Sequence, residues 1–317
     1  MATYSLKEKI EYKKFIFSII DNKYKYLHIT NKDIKNIRIN TKTMKSAIKL
    51  NKTISEIYIN KNIIDKTNTY YNDYIDNLYD DDNIVSKILV WFLGYSKSIR
   101  IISINNINIK EASLKQIFEV LTFNTTLEKL EINCKINLLD TNFLLKFLEN
   151  NTTLKVLSLQ NIIFEDIYDL AQGLSKNKTL IYLNLSNSSI KNIDFLSTTL
   201  TINDTLTHLN LENIIIERSS LFKTLIKALE KNKGIVKINL SNNRLIDFDI
   251  YDLSETIKNN TTLKNIDLSH NNINTINSLL KSLQYNTTLK VINLQYNNIK
   301  IYNQYSKLKI NNTVIFK

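Results

Sequence analysis

From residue 286 the chain reads Asn286-Thr-Thr-Leu289-Lys-Val-Ile292-Asn-Leu294-Gln-Tyr-Asn297-Asn-Ile299. Counted from Asn286, apolar residues stand at positions four, seven, nine and fourteen, and asparagine at one and twelve. The frame returns from Asn260 (Leu263, Ile266, Leu268, Asn271, Ile273) and from Asn232 (Ile235, Ile238, Leu240, Asn243, Leu245). Alternation over positions six to ten predicts a short strand, with seven and nine facing inward and six, eight and ten facing out. Between copies the spacing becomes helical: Leu114, Ile117, Phe118 and Leu121 share one face, as do Leu221, Leu225, Ile226 and Leu229, and again Ile276, Leu279, Leu280 and Leu283.

By this marker copies begin at Asp21, Asn51, Ser96, Asn124, Asn151, Asn177, Asn203, Asn232, Asn260 and Asn286, with a half copy from Asn311. The first two are degenerate, and the copy from Asn124 loses the frame after Ile132, leaving Cys134 beyond its strand. Ser5 to Ile20 reads as a helix that caps the open end of the core, Ser5 and Glu8 having capping-box spacing. Between Asn51 and Ser96 the spacing stretches to 45 residues. That implies an insertion near Lys66 to Asp82, rich in Tyr and Asp, which reads as a flexible surface loop or an acidic–aromatic contact loop. It lacks the Gly and distal Glu of an EF-hand.

A Leu-x-x-Leu-x-Leu-x-x-Asn-x-Leu frame at this period resembles the leucine-rich repeat, and a helix in each copy resembles its ribonuclease-inhibitor-like subfamily. The resemblance covers nearly all of the chain after Ile20. It implies one α/β domain over residues 1–317: a right-handed horseshoe solenoid, with a parallel sheet on the concave face and helices on the convex face. Asn at position twelve (Asn62, Asn243, Asn271, Asn297) is expected to satisfy turn backbone groups. Ile162 and Ile214 stand there in their copies, where that ladder is expected to be interrupted.

Composition narrows the reading. Proline is absent and only three glycines occur, so turns depend on Asn, which best tolerates positive φ among the other residues. The net charge is +12, yet of 42 basic residues only Arg38, Arg100, Arg218 and Arg244 are arginine. Nucleic-acid surfaces lean on arginine, so this excess reads as solvated lysine faces, and nucleic acid remains an alternative partner. One cysteine permits no internal disulfide, and no apolar run reaches the ~18 residues of a membrane span. The charged N-terminus does not resemble a signal peptide. A cytoplasmic, monomeric protein is expected. Several Asn-x-Thr triplets (Asn51, Asn124, Asn151, Asn177, Asn203, Asn260, Asn286) match the glycosylation sequon, but they recur because the frame requires Asn there.

No phosphate loop, nucleophile elbow or Cys-x-x-Cys pair is present. His28, His208 and His270 fall in different copies, too far apart for a shared metal, so neither catalysis nor a cofactor is expected. The array is similar in kind to leucine-rich repeat activators of a small GTPase, for which Arg38 would be the edge arginine, but it lacks their acidic tail. Non-catalytic protein binding on the concave face is therefore the leading expectation. Interface anchors are commonly aromatic, and Tyr26, His28, Tyr58, Tyr182 and His208 occupy outward positions, with Tyr296 on the adjoining edge. Scattered surface aromatics in a Tyr-rich chain would give the same list.

Overall fold

The computed structural model describes residues 19, 25–29, 41–60, 81–107, 109–191, 193–216, 221–299 and 313–315. The expected cap helix (apart from Ile19), most of the Lys66–Asp82 insertion, Asn62 and Arg38 lie outside these. The chain divides into two compact units, Met1–Ile136 and Asn137–Lys317.

In the first unit, strands β1 (Tyr26–Ile29), β2 (Glu56–Asn60), β3 (Ile101–Asn105) and β4 (Lys129–Leu138) alternate with helices α1 (Thr41–Leu50), α2 (Asp81–Tyr95) and α3 (Glu111–Leu121). Adjacent strands pair in parallel: Tyr26 lies opposite Glu56, Glu56 opposite Ile101, and Ile101 opposite Lys129. These are all position six of the frame. Leu27, Ile29, Ile57, Ile59, Ile102, Ile104, Leu130 and Ile132 are buried, as are Leu114, Ile117, Phe118 and Leu121 on α3. The strand and helix periodicities thus share one core.

The second unit has β5 (Val156–Phe164), β6 (Tyr182–Asn184), β7 (Ser189–Ile190), β8 (His208–Asn210), β9 (Ile215–Ile216), β10 (Lys237–Asn239), β11 (Asn265–Asp267), β12 (Val291–Asn293) and β13 (Thr313–Ile315). Its helices are α4 (Asn142–Asn150), α5 (Tyr168–Lys176), α6 (Asp194–Leu200), α7 (Leu221–Lys231), α8 (Asp247–Asn259) and α9 (Asn277–Leu283). Successive helices pack on one another. At Gly173 a Cβ would sit 2.8 Å from the Leu148 Cβ, so α4 and α5 approach too closely for any larger residue. The main strand order is β5–β6–β8–β10–β11–β12–β13. Tyr182, His208, Lys237, Asn265 and Val291, all at position six, stand in one row. Both units are therefore α/β solenoids of leucine-rich repeats. In the last pairing Thr313 lies opposite Val291, three residues before the position-six residue of a frame counted from Asn311.

The copies are joined mainly at position one. Asn51, Asn124, Asn151, Asn177, Asn203, Asn232, Asn260 and Asn286 are all buried. Each Oδ1 accepts the backbone N–H groups of positions three and four, at 2.6–3.2 Å. The Nδ2 groups of Asn124, Asn177, Asn203, Asn232, Asn260 and Asn286 donate to carbonyls near the end of the helix that leads into the previous copy, at 2.6–2.8 Å. Four of them also reach the carbonyl of the previous position-one asparagine. One amide thus closes its own turn and fastens it to its neighbour. Ser96 accepts the same two N–H groups, from Ser98 and Ile99, through its hydroxyl. It cannot span the gap to the previous copy, and the Ser98 hydroxyl bonds the Ile54 carbonyl instead.

Position twelve departs from expectation. Asn243, Asn271 and Asn297 do bind turn backbone, each donating to carbonyls of its own or the previous copy and accepting an N–H from the previous one. Where Ile162, Ser188 and Ile214 stand there, the array is not interrupted. The next two residues form a second parallel ladder instead: Ile163 opposite Ser189 opposite Ile215, and Phe164 opposite Ile190 opposite Ile216. Side chains of the next copy still serve these turns, the Ser188 hydroxyl accepting the Ile162 N–H and donating to the Leu159 carbonyl and Asn243 accepting the Ile214 N–H, and the ladder adds main-chain pairing beyond them. The copy from Asn124 also continues past Ile132. Cys134 lies within β4, and Cys134, Ile136 and Leu138 are buried in strict alternation.

Asn203→Ala is expected to lower stability by about 3 kcal/mol in denaturant unfolding. It removes the partner of the Thr205 and Leu206 N–H groups and of the Leu174 and Asn177 carbonyls, groups that cost ~1–3 kcal/mol each when buried and unpaired. Exposed Asn272→Ala is expected to stay within about 0.5 kcal/mol. The same geometry predicts that, routed through a glycosylating secretory pathway, the folded chain carries no glycan at the buried position-one sequons Asn51, Asn124, Asn151, Asn177, Asn203, Asn260 and Asn286. A glycan on these buried amides would displace the bond to the neighbouring copy. Recovery of folded protein glycosylated at one of these seven asparagines, by site-mapping mass spectrometry and circular dichroism, would contradict it.

Candidate functional site

The outward strand positions form the candidate surface, and the inward ones decide its spacing. Neighbouring parallel strands lie about 4.8 Å apart, so side chains at equal positions of adjacent copies meet laterally. In the first unit this brings three sequence candidates together. His28 and Tyr58 lie opposite each other, their rings stacked at 5.1 Å between centroids and 16° between planes. Tyr26, 49% exposed, has the Lys25 Nζ 5.3 Å from its ring centre. The Tyr58 hydroxyl donates to Glu56 Oε2 at 2.6 Å. That bond to a carboxylate, then burial, pushes the Tyr58 phenol up to about 12. Lys25 also pairs with Glu56 (3.5 Å), and Lys129 with Glu131 (2.9 Å). Charge on this face is balanced locally, and rings supply its distinctive chemistry.

In the second unit Tyr182 and His208 adjoin at 6.2 Å between ring centroids. They border an open hollow of about 280 Å³, which Asn210, Lys237, Asn239, Asp267 and Asn293 also line. His208 Nδ1 lies 2.7 Å from the Thr207 hydroxyl. Burial first, and Lys237 second, lower the His208 pKa, so the ring is neutral at pH 7.

The amide-rich row at position eight is less available than its composition implies. The Oδ1 atoms of Asn184, Asn210, Asn239, Asp267 and Asn293 each accept the backbone N–H two residues on, at 2.9–3.1 Å. Asn239 Nδ2 donates to Glu212 and Asn293 Nδ2 to Asp267. These side chains cap the strand ends and link copies, leaving recognition to the ring faces and to the remaining N–H donors.

Tyr296 is not part of this row. It lies on the turn beyond the strand, 64% exposed, stacked on His270 at 4.2 Å and 17°. Each of the three histidines therefore pairs with a tyrosine at the same frame position of an adjacent copy. Reading each copy separately lists the histidines and tyrosines but misses this pairing. Comparing equal frame positions across copies would have found it. Lys237, opposite His208 on the next strand, was also missed.

Cys134 is buried, and desolvation pushes its thiol up to about 11. Among the described residues no three His, Cys, Asp or Glu side chains converge as metal ligands, and no helix is long and apolar enough to cross a membrane.

No family model and no curated protein matches the sequence. Among solved structures the chain is similar to an internalin of Listeria monocytogenes, at 19% identity and a TM-score of 0.46, over 86% of this chain and 70% of that one. It is also similar to actin-binding site 2 of leiomodin-1, at 23% identity and a TM-score of 0.29, over 43% of this chain and 66% of that one.

At pH 8 native Cys134 is expected to react with a disulfide reagent more than about 100-fold more slowly than in denaturant. The raised pKa and the burial both suppress thiolate attack. Comparable rates would show that β4 opens freely there.

Proposed function

We propose that this protein is a non-catalytic scaffold that binds another protein through the outward strand face of its repeats. Its anchors are Tyr26, His28 and Tyr58 in one unit and Tyr182 and His208 in the other, with Tyr296 on the adjoining turn edge. The single observation that carries this reading is the lateral pairing of histidine with tyrosine on a face whose amide oxygens are already engaged. Paired rings give a rigid, partly desolvated contact area at little entropic cost, which is the property of interface anchors. The hollow beside His208 is open and shallow, suited to a protruding side chain or loop. A reducing compartment without N-glycosylation fits the single buried thiol and the buried sequon asparagines, and the reading treats the protein as a monomer.

Affinity capture with mass spectrometry supplies the partner for the test. Tyr26→Ala with Tyr58→Ala, or Tyr182→Ala with His208→Ala, is expected to weaken that partner more than tenfold, with circular dichroism unchanged. Full affinity in both double variants would reject these anchors. Single-stranded oligonucleotides are expected not to bind even near 50 mM salt; binding that falls steeply by about 200 mM would favour a nucleic-acid role instead.

A further inference from the structure

Among the described residues, eight other than glycine hold a left-handed backbone, with φ between 51° and 61°. Seven stand at position eleven: Asn106, Asn161, Asn187, Asn213, Asn242, His270 and Tyr296. The eighth, Arg244, is at position thirteen. Five of the eight are asparagine, whose short side chain suits this conformation. The exceptions, Arg244, His270 and Tyr296, occupy three consecutive copies along one turn edge.

Nothing inside the fold requires these bulky residues. All three are exposed. Asn242, at the equivalent turn, is left-handed too and carries no ring. Backbone strain retained at an exposed cluster of ring and guanidinium side chains is a mark of a contact site. The residues also match in chemistry: the His270–Tyr296 stack offers a flat apolar surface, and Arg244 offers a fork of donors.

We propose that Arg244, His270 and Tyr296 form a contact site for an acidic segment of a partner protein. A carboxylate on that segment meets the Arg244 guanidinium, and an adjoining flat or aliphatic side chain lies on the rings. Charge complementarity selects this occupant. Positions ten to thirteen of these three copies (241–244, 269–272 and 295–298) contain no acidic residue, and Arg244 makes no ion pair among the described residues. The nearest strand-face carboxylates are engaged within the fold. Asp267 accepts from the Ser269 N–H and hydroxyl and from Asn293, and Glu212 accepts from Asn239. A single cation without a lysine row fits one carboxylate, whereas a phosphate backbone would require several cations. The proposal rests on the protein-binding reading above and adds a surface beyond the strand face.

The probe is a displayed library of random twelve-residue peptides, panned on the full chain and counter-screened on two variants. One combines Arg244→Asn, His270→Asn and Tyr296→Asn; the other combines Tyr182→Ala and His208→Ala. Enriched peptides are expected to carry Asp or Glu beside an aromatic or aliphatic residue. They should lose more than tenfold affinity for the triple variant and keep it for the double variant. The triple variant should melt at or above the parent temperature, because asparagine suits the left-handed backbone. A melting temperature several degrees lower would make the stack structural and overturn the proposal. So would failure to enrich acidic peptides, or equal binding to the triple variant. Peptides that depend only on Tyr182 and His208 would remove this site while leaving the strand-face reading intact.

Discussion

The position-one asparagine is the bond on which the rest of this array depends. A parallel stack leaves two sets of buried backbone groups without partners at each junction: the N–H groups leading into a strand and the carbonyls closing the helix that leads into the previous copy. A side-chain amide carries both an acceptor and donors, so one residue satisfies both sets and joins them. No hydroxyl does this in one step, as Ser96 and its helper Ser98 show. Because the amide reaches the previous copy at nearly constant distance, it holds equal frame positions in register from strand to strand.

That register sets the chemistry of the outer face. Side chains at one position meet their counterparts a strand away, so composition becomes pairing: His28 with Tyr58, Tyr182 with His208, His270 with Tyr296. The same regularity consumes polar capacity. Position-eight oxygens cap strand ends and their amides reach sideways, so an apparently adaptable amide row is largely structural. What is left for a partner is ring surface, a few N–H donors and the strained turn edge.

Position twelve shows how the same need is met in two ways. Asn243, Asn271 and Asn297 satisfy the turn with side chains. Around Ile162, Ser188 and Ile214 the Ser188 hydroxyl and the Asn243 amide serve part of the turn, and the main chain adds a second short ladder. The asparagine ladder does lack its amide at Ile162 and Ile214, but the array continues because a hydroxyl, a neighbouring amide and main-chain pairing take its place. Unpaired backbone groups in a buried turn are costly enough that the chain finds other partners for them.

The alternation of apolar residues, the helical stretches between them and the recurrent asparagine specify the repeat and its strand register from sequence alone, because each depends on residues a few positions apart. Tyr26, His28, Tyr58, Tyr182 and His208 could likewise be placed on the outer face by parity. Three features depended on the assembled structure: which rings meet, which side-chain amide N–H groups donate across copies, and which residues bear a left-handed backbone. Each arises from contacts between residues some 26 to 30 apart in sequence, or from backbone geometry that those contacts impose. A linear pattern does not encode these until neighbouring copies are set side by side.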